Sequence, residues 1–373
     1  MLIKPLRNKK MLWYMITFGL VFLMAMGGCA KNRTKFVEVA VGEKYKVALK
    51  EDGTVWVWEG TTTPIQINEL TEIKQVAARY DYAAVLKEDG TVWVWGSNKY
   101  GQLGVGRKQW IDEPIEVKGI NGVKQVAAGR YHIVVLKEDG TVWAWGRNDF
   151  GELGNGTTIN SAQPVQVTGL KNVKQVAAGY YYTVALKEDG TVWSWGNNDY
   201  GQLGNGTTIQ NSNIPVRVKK LENVKQISAG GDYAVALNED GKVWVWGNNH
   251  YGQLYQNVIE YVCSREPLRI KPLRDIVQVS ASFKYTLALK EDGSVWIWGD
   301  AHDSLTGNDK IKSTIRPVEI RKAVGTDHKS VGRKQKLVKC KQIAAGNKYG
   351  LALKEDGSIW EWEHDENIVT EHK

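Results

Sequence analysis

The chain has 373 residues, 42% of them hydrophobic, so it can bury a large core as one big domain or two ordinary ones. This length and composition exclude a peptide that is too small, or a chain that is too polar, to fold without a partner. The formal charge of +8 suggests an anionic partner, although where the charges lie matters more than their sum. Sixteen Trp against five Phe is an unusual aromatic composition that requires a structural cause.

Residues 1–28 have the pattern of a secretory signal peptide. An apolar stretch, 11–28, follows a basic start formed by Lys4, Arg7, Lys9 and Lys10. The stretch is slightly shorter than the roughly 20 apolar residues of a transmembrane helix, and an uncleaved membrane anchor is the alternative. Removing these four bases and no acids leaves 45 of the 49 Lys+Arg against 41 Asp+Glu, a charge of +4. The basic total therefore belongs partly to the targeting segment.

The end of this segment predicts a lipid anchor. Met26-Gly27-Gly28-Cys29 resembles the bacterial lipobox, in which small residues let a peptidase reach the backbone and the cysteine carries diacylglycerol. The resemblance implies lipidation of Cys29, with 29–35 as the linker and the outer face of the cell membrane as the location. More than one acyl chain gives stable anchoring. The alternative is a chance cysteine at the end of a signal peptide.

One unit then repeats along nearly the whole chain. Its Glu-Asp-Gly turn recurs seven times with spacings of 37, 50, 50, 51, 52 and 64 residues, at Asp52, Asp89, Asp139, Asp189, Asp240, Asp292 and Asp356. A Trp-x-Trp pair follows each turn, and the seven pairs contain 14 of the 16 tryptophans. The tryptophan excess is thus a property of the repeat.

The fourth copy predicts four short strands. Residues 173–179 form an apolar run, and 182–186 and 191–195 alternate with period two on either side of Asp189-Gly190. Such an Asp-Gly pair predicts a tight hairpin turn, where glycine adopts a positive φ at little cost. A fourth strand, 215–218, begins at a proline, where no ladder donor is missed.

Seven four-stranded units predict an all-β fold, a seven-bladed β-propeller spanning 36–362. Its blades diverge away from the axis, and both tryptophans of each pair are expected to fill the wedge between neighbours. Burial of 14 such rings would stabilise the fold strongly, so the repeat residues are assigned a structural role. In the three most regular copies they are Asp89, Gly90, Trp93 and Trp95; Asp139, Gly140, Trp143 and Trp145; and Asp189, Gly190, Trp193 and Trp195.

The repeat pattern, "VAAG…Y…ALKEDGTVWxWGxNxYGQLGxG…P…V", resembles the RCC1 repeat of the regulator of chromosome condensation, whose fold is a seven-bladed propeller. The founder of that family is a nuclear exchange factor for a small GTPase that also binds chromatin. A signal peptide and lipobox argue against those partners, and no functional residue is carried over. One fold hosts unrelated activities, so the resemblance implies the fold far more strongly than a function.

Two departures from the family pattern lead to structural expectations. Where the family has histidine, six copies have tyrosine, and only His132 keeps it; the six are Tyr45, Tyr82, Tyr182, Tyr233, Tyr285 and Tyr349. We expect these rings to pack near the axis and to donate their hydroxyls to a neighbouring backbone. The last copy lacks a proline-led fourth strand. Either the polar tail 363–373 supplies a closing strand through 367–370, or the ring closes on a three-stranded blade.

The sequence predicts neither an enzyme nor a cofactor. No HExxH, G-x-S-x-G, C-x-x-C or P-loop pattern is present, and no histidines pair at ligand spacing, so no metal site is expected. Cys263 and Cys340 have no spacing that decides whether they form a disulfide. The turn "KEDGTVW" differs from the sialidase Asp-box at both key residues, which leaves a glycosidase-like enzyme as a weak alternative.

Irregular segments provide the candidate partner-binding residues. A loop between the third and fourth strands of the second copy contains Arg107, Lys108 and Trp110, and Trp and Arg are enriched at binding hot spots. Burial of Trp110 against its own sheet edge is the alternative. Tyr255 and Tyr261 lie in the irregular fifth copy. Loop aromatics of this kind would favour wall glycan or another carbohydrate.

A basic insertion near 320–340 is the second candidate. Residues 308–341 contain eleven Lys/Arg against three acids, a net charge of +8, and no aromatic residue for stacking nucleic acid; the candidates are Arg321, Lys322, Lys329, Arg333 and Lys334. A mobile, solvated insertion is one interpretation. Salt-sensitive docking to anionic lipid headgroups or wall polymer is the other.

Together these features predict a monomeric, lipid-anchored, extracytoplasmic propeller that acts as a non-enzymatic protein-interaction platform. Loops on a rigid scaffold commonly carry such a function. The alternatives are a module for wall glycan or anionic polymer and, more weakly, a glycosidase-like enzyme. No nucleic acid partner is expected.

Overall fold

A computed structural model describes residues 34–60, 62–106, 109–255, 263–300, 314–323, 334–363 and 369–372. The signal peptide and Cys29 lie outside these residues. In the described parts, the chain has no helix that is long and apolar enough to cross a membrane. Residues from Thr34 onward form one unit built from β-strands.

The strands form seven four-stranded antiparallel sheets, the blades, in chain order. Blade 1 contains β1 (Phe36–Val41), β2 (Tyr45–Lys50), β3 (Val55–Glu59) and β4 (Ile65–Ile67), and blade 2 contains β5 (Ile73–Arg79), β6 (Tyr82–Lys87), β7 (Val92–Ser97) and β8 (Trp110–Glu116). Blade 3 contains β9 (Val123–Ala128), β10 (His132–Lys137), β11 (Val142–Gly146) and β12 (Ser161–Gln166), and blade 4 contains β13 (Val173–Ala178), β14 (Tyr182–Lys187), β15 (Val192–Asn197) and β16 (Asn211–Arg217).

The remaining blades follow the same order. Blade 5 contains β17 (Val224–Ala229), β18 (Tyr233–Asn238), β19 (Val243–Asn248) and β20 (Cys263–Arg269), and blade 6 contains β21 (Ile276–Ala281), β22 (Tyr285–Lys290), β23 (Val295–Gly299) and β24 (Thr314–Glu319). A separate hairpin pairs β25 (Arg321–Ala323) with β26 (Lys334–Lys336). Blade 7 contains β27 (Cys340–Ala345), β28 (Tyr349–Lys354), β29 (Ile359–Glu363) and β30 (Val369–His372). The predicted seven-bladed β-propeller is confirmed.

This connectivity gives the ring two faces. The first and third strands of each blade end at what we call the loop face, where the loops between strands one and two and between strands three and four lie. The Glu-Asp-Gly hairpins and the connections between blades lie at the opposite side, the turn face. In the second strand of blade 4, five consecutive residues are buried, because neighbouring blades cover both sides of the sheet.

The repeated hairpin turn is stabilised as the sequence indicates. In blade 4, Gly190 has a φ of 78°, which glycine adopts without strain. The carboxylate of Asp189 accepts hydrogen bonds from the backbone N–H of Thr191 at 3.0 Å and from its hydroxyl at 2.6 Å. Indole Nε1 of Trp193 donates to the same hydroxyl at 3.3 Å. The Asp-Gly-Thr segment therefore orients the first tryptophan of the pair.

The two tryptophans of a pair differ in burial, which corrects the expectation that both fill the wedge. Trp195 is fully buried, and its Nε1 donates to the backbone carbonyl of Glu152 in the preceding blade at 2.8 Å. Trp193 lies near the turn end of its strand and remains partly exposed. The second residue is buried in all seven pairs, whereas the first is buried only at Trp360. The partly exposed rings are Trp56, Trp93, Trp143, Trp193, Trp244 and Trp296.

A glutamine in the innermost strand connects each blade to the next. Gln175 donates from Nε2 to the carbonyl of Ile227 at 3.1 Å, and its Oε1 accepts the N–H of the same residue at 2.9 Å. The same pair of bonds joins blades 2 to 3, 3 to 4, 5 to 6 and 6 to 7. Gln342 of blade 7 accepts the N–H of Val39 at 3.1 Å. These contacts, together with core packing between blades 1 and 7, close the ring.

The tyrosines in place of the family histidine also join neighbouring blades. The hydroxyl of Tyr82 donates to the carbonyl of Gly129 at 2.7 Å, and that of Tyr233 donates to the carbonyl of Tyr285 at 2.6 Å. Tyr182 donates to the carbonyl of Tyr233, and Tyr285 to that of Tyr349 at 3.1 Å. The expected backbone bond is therefore present at these four fully or almost fully buried tyrosines.

Three boundaries differ from the sequence-based expectation. The fourth strand of blade 4 begins at Asn211, four residues before Pro215, because an irregularity in register opposite Gly196 lets this outer strand pass the proline. Thr314–Glu319 is the fourth strand of blade 6, so part of the basic segment 308–341 belongs to the ring. Val369–His372 pairs with β29 and gives the last blade its fourth strand. Both Cys263 and Cys340 are free thiols.

Two glutamates stand at positions where other copies have glutamine. Glu38 occupies the position of the bridging glutamines, and its Oε2 accepts the N–H of Val76 at 3.1 Å. Glu152 occupies the glutamine position of the "GQLG" loop, and its Oε2 accepts the N–H of Phe150 at 2.8 Å. Burial raises the pKa of each carboxyl from 4.5 to about 7. Below about pH 7 both glutamates are therefore mostly in the neutral form.

We expect the stability of the propeller to decrease as pH rises from about 4.5 to above 7. In that interval the folded chain holds protons that the unfolded chain has released, so the free energy of unfolding falls with pH. The loss is at most about 3 kcal/mol for Glu152, and smaller for the partly exposed Glu38. Urea midpoints at about pH 5 and about pH 8 should differ less in Glu38→Gln/Glu152→Gln than in the unchanged chain. An unchanged difference would contradict this assignment.

Candidate functional site

The loops of the loop face bring aromatic and cationic side chains together from several blades. Each loop between strands one and two contributes two or three residues, such as Arg130 and Tyr131 in blade 3. Each regular third-to-fourth-strand loop contributes one ring, such as Tyr100 or Phe150. These loops rest on strands whose side chains are buried, so the face is rigidly supported.

Four blades meet at the centre of this face. Tyr180 of blade 4 stacks on Phe283 of blade 6, with ring centroids 4.9 Å apart and an interplanar angle of 10°. Asn347 of blade 7 donates from Nδ2 to the Tyr180 hydroxyl at 2.6 Å, and the Arg79 guanidinium of blade 2 lies 5.5 Å from the Tyr180 ring. Because these residues come from opposite sides of the ring, their contacts cross the central axis. We call Arg79, Tyr180, Phe283 and Asn347 the axial plug.

Beside the plug lies an aromatic–arginine patch, formed by Tyr100, Arg130, Tyr131, Arg147, Phe150 and Tyr181 of blades 2, 3 and 4. The Tyr131 ring lies 4.6 Å from that of Tyr100 and 6.2 Å from that of Tyr181. The Tyr181 ring lies 5.4 Å from that of Phe150. All six side chains are partly exposed, so the patch is open to solvent yet internally packed.

The two arginines lie between the rings of the patch. The Arg147 guanidinium is 4.7 Å from the Tyr181 ring and 5.2 Å from the Tyr100 ring. The Arg130 guanidinium is 5.0 Å from the Tyr131 ring, and its Nη1 donates to the Tyr181 hydroxyl at 3.1 Å. Such cation–π contacts stabilise each charge by about 0.5–2 kcal/mol and fix its direction. The patch therefore presents two oriented cations.

The patch contains two arginines, and the carboxylates around it are Asp149, beside Arg147, and Asp81 and Asp232, which interact with Arg130 at longer range. Arg147 Nε contacts the Asp149 carboxylate at 2.6 Å, while among the described residues Arg130 has no carboxylate within ion-pair distance. Nε of Arg130 is buried without a hydrogen-bond partner in the described parts of the chain. Burial raises the pKa of Tyr131 to about 12 despite the nearby positive charge of Arg130. The Tyr131 hydroxyl is thus uncharged at neutral pH and adds no negative charge beside Arg130.

The residues chosen from the sequence lie elsewhere and are not brought together. Trp110 begins β8 with 39% of its surface exposed, so it is not buried against its sheet; its Nε1 donates to Asp112 at 2.8 Å. Tyr255 lies in blade 5 and packs against the core between blades 5 and 6. Arg321 and Lys322 lie in β25, and Lys334 lies in β26. The other five candidates fall outside the described residues: Arg107, Lys108, Tyr261, Lys329 and Arg333.

The aromatic–arginine patch was missed because its residues belong to loops that look ordinary in the sequence. Copy-to-copy variation pointed to the third-to-fourth-strand loops, whereas Arg130, Tyr131 and Tyr181 lie in the short first-to-second-strand loops. "GRYH" and "GYYY" do stand out from the other copies by their aromatic content. Within the described residues, no group of three or more His, Cys, Asp or Glu side chains could hold a metal ion.

The fold and its loops define the class of protein. It is a propeller built from repeats, and its loop face is rigidly supported by the blades. The chain belongs to the RCC1-like family. A family model described as RCC1-like domain matches residues 25–274, and the regulator of chromosome condensation (RCC1) repeat matches residues 276–303.

Sequence identity to individual proteins is low, and the proteins matched belong to the same family or share its fold. The mouse regulator of chromosome condensation is 29% identical over 149 residues, which cover 39% of this chain and 32% of that protein. The chain thus spans about a third of the length of this curated relative. Yeast RCC1 (Prp20) bound to Kap60 superposes with a TM-score of 0.72 at 22% identity, over 86% of this chain and 81% of that one. Prp20p of Saccharomyces cerevisiae, studied with its binding to Gsp1p and histones, has a TM-score of 0.71 at 21% identity, over 86% and 84%.

Proposed function

We propose that this protein is a lipid-anchored, extracytoplasmic propeller that binds a partner protein through its loop face and performs no catalytic step itself. The observation that carries the proposal is the aromatic–arginine patch. Tyrosine and arginine are enriched at the energetic centres of protein interfaces, where rings fill pockets and guanidinium groups bind carboxylates in pairs of hydrogen bonds.

The packing of the patch supports protein binding over binding of wall glycan. Its rings and arginines already contact one another, so little side-chain freedom would be lost when a partner docks. The aromatic residues that would favour glycan, Trp110 and Tyr255, lie on blades 2 and 5. The two arginines of the patch favour a partner surface with acidic side chains.

The relatives support the same class of function. Yeast Prp20 is bound to Kap60 in one solved structure and is described with its binding to Gsp1p and histones in another. At this level of identity the likeness concerns the fold, so these partners are not assigned to the present chain. The fold itself is compatible with a loop face that binds proteins.

The proposed anchor fits the point at which the chain enters the propeller. Lys35 lies at the turn face, where its carbonyl accepts the N–H of Glu51 at 3.0 Å. Seven linker residues, 29–35, span at most about 25 Å when extended. A lipid on Cys29 would therefore hold the turn face near the bilayer and leave the loop face available to partners.

One experiment with two arms tests this proposal in the full chain. In the first arm, membrane fractionation and intact mass are compared between the unchanged chain and Cys29→Ser. We expect cleavage before residue 29, a diacylglyceryl mass increment, and release from membranes by the substitution. An unmodified chain that retains residues 1–28 would contradict the anchor and its location.

In the second arm, partners of the tagged chain are cross-linked in native cells and identified by mass spectrometry. We expect the charge-removing variant Arg130→Gln/Arg147→Gln to lose a partner that the unchanged chain captures. The matched control, Lys171→Gln/Lys271→Gln, removes the same charge from exposed connections between blades at the turn face and should retain the partner. Equal capture by both variants would contradict binding through the loop face.

A further inference from the structure

A row of lysines surrounds the axis at the end opposite the axial plug. The second residue of the innermost strand is lysine in blades 2, 3, 4 and 5, and again in blade 7, whereas blades 1 and 6 have Val37 and Val277. The lysines are Lys74, Lys124, Lys174, Lys225 and Lys341. The positive charge is therefore concentrated on four consecutive blades.

Three of these lysines line a cavity. It has a volume of about 410 Å³, and Lys124, Lys174 and Lys225 form its wall together with Gln125, Gln175 and Gln226. The cavity is open to solvent over much of its surface, so a ligand in it would remain partly solvated. All six residues come from the inner strands of blades 3, 4 and 5, so the cavity lies against the central axis.

The glutamines that line the cavity already form hydrogen bonds between blades, whereas the lysines that line it are in no ion pair among the described residues. Gln125 donates to the carbonyl of Val176 at 3.1 Å, and Gln226 donates to that of Val279 at 3.2 Å, in the bridges between blades. Among the described residues, Lys124, Lys174 and Lys225 form no ion pair. Lys124 does act on the exposed Asp139 in the hairpin turn of blade 3, whose pKa is lowered by Thr141 and, to a smaller extent, by Lys124.

The cavity wall thus carries three lysine side chains on a rigid frame. It has no aromatic ring, and Leu136 is its one apolar side chain among the residues that line it. Three of the seven lining residues are lysine, and lysine is a strong point-charge ligand for phosphate groups. We propose that this cavity binds a compact anion with several phosphate charges. Such groups occur free in solution and on phospholipid headgroups.

Binding is tested with the full chain carrying Cys29→Ser, so that the anchor does not interfere, and with tripolyphosphate as the probe. Calorimetry at low ionic strength should detect binding that weakens with added salt. Lys124→Gln/Lys174→Gln/Lys225→Gln should reduce the affinity by about tenfold or more. The control, Lys44→Gln/Lys99→Gln/Lys284→Gln, removes equal charge at the loop face and should leave the affinity unchanged.

A second arm distinguishes the two sources of phosphate. Sedimentation with phosphatidylglycerol vesicles and with neutral phosphatidylcholine vesicles shows whether the same lysines bind headgroups. If the cavity variant loses binding of tripolyphosphate or of the anionic vesicles, and the control variant does not, the site is supported. The probe whose binding is lost then identifies the source of the phosphate. Absence of both interactions, or equal weakening by the two triple variants, overturns the proposal. Circular dichroism confirms that each variant is folded, and capture of a protein partner by the loop face is independent of these outcomes.

Discussion

Replacing Glu361 by Gln is expected to lower the stability of the propeller by about 3–5 kcal/mol, because it leaves a buried lysine without its counter-charge. Lys46 of blade 1 and Glu361 of blade 7 are 1% and 2% exposed and form an ion pair. The Lys46 ammonium also lies 3.4 Å from the centroid of the Tyr349 ring. Nε1 of Trp58 donates to the other carboxylate oxygen of Glu361 at 2.9 Å, where Nε2 of His372 also lies at 3.1 Å. Glutamine retains the shape of glutamate and one acceptor oxygen, so the substitution removes the charge together with one acceptor.

The double variant Lys46→Met/Glu361→Gln is the matched control for this prediction. It removes both charges with little change in volume, and we expect it to be more stable than Glu361→Gln alone. Urea midpoints of the two single variants and the double variant measure the coupling. If the effects of the single substitutions simply add, the ion pair does not act as a unit and the prediction is wrong.

The second large effect is expected from the tryptophan pair of blade 4. Trp195→Ala should lower stability by about 3–5 kcal/mol, because it opens a cavity between two blades and leaves the Glu152 carbonyl without its indole donor. Trp193→Ala removes a ring of the same size from the same strand, but one that is partly exposed and bonded to its own turn. Its loss should be about half as large.

Thermal and urea unfolding of these two variants test the difference in burial. The two tryptophans occupy equivalent places in the repeat pattern. If both substitutions destabilise the propeller equally, the space between the blades does not bury one ring more than the other. A larger loss for Trp193→Ala would reverse the assignment made from the structure. The same comparison can be repeated in blade 3 with Trp143 and Trp145, where the burial pattern is the same.

The fold was predictable because its signals are local and repeated. Period-two strands around Asp189-Gly190 predicted the hairpin, and the tyrosine bonds followed from a register shared by every copy. The burial of Trp193 was predicted wrongly, because alternation shows that two residues share a side of a strand and not how far the next blade extends over each of them. The fourth strand of blade 4 was predicted at 215–218, but its start at Asn211 was not, because a register irregularity hides the pattern of its first residues.

The candidate sites were less predictable, because they depend on contacts between distant blades. Tyr180 and Phe283 are separated by more than a hundred residues in the sequence, and only the closed ring stacks them. Lys124 and Lys174 each occupy an ordinary position of the repeat. Only the structure shows that the lysines of three copies line one cavity. Lys46 and Glu361 differ from the small or apolar residues of the other copies, which is a signal that comparison of the copies could have revealed.

The axial plug separates the loop-face end of the central axis from the end at which the lysines lie. Tyr180 is 4% exposed and Arg79 is 9% exposed, so the contacts among these residues obstruct the axis at the loop face. The lysine-lined cavity lies at the other end of the same inner strands. A partner docked on the loop face and an anion held among the lysines would therefore lie on opposite sides of the plug, so each could bind without contacting the other.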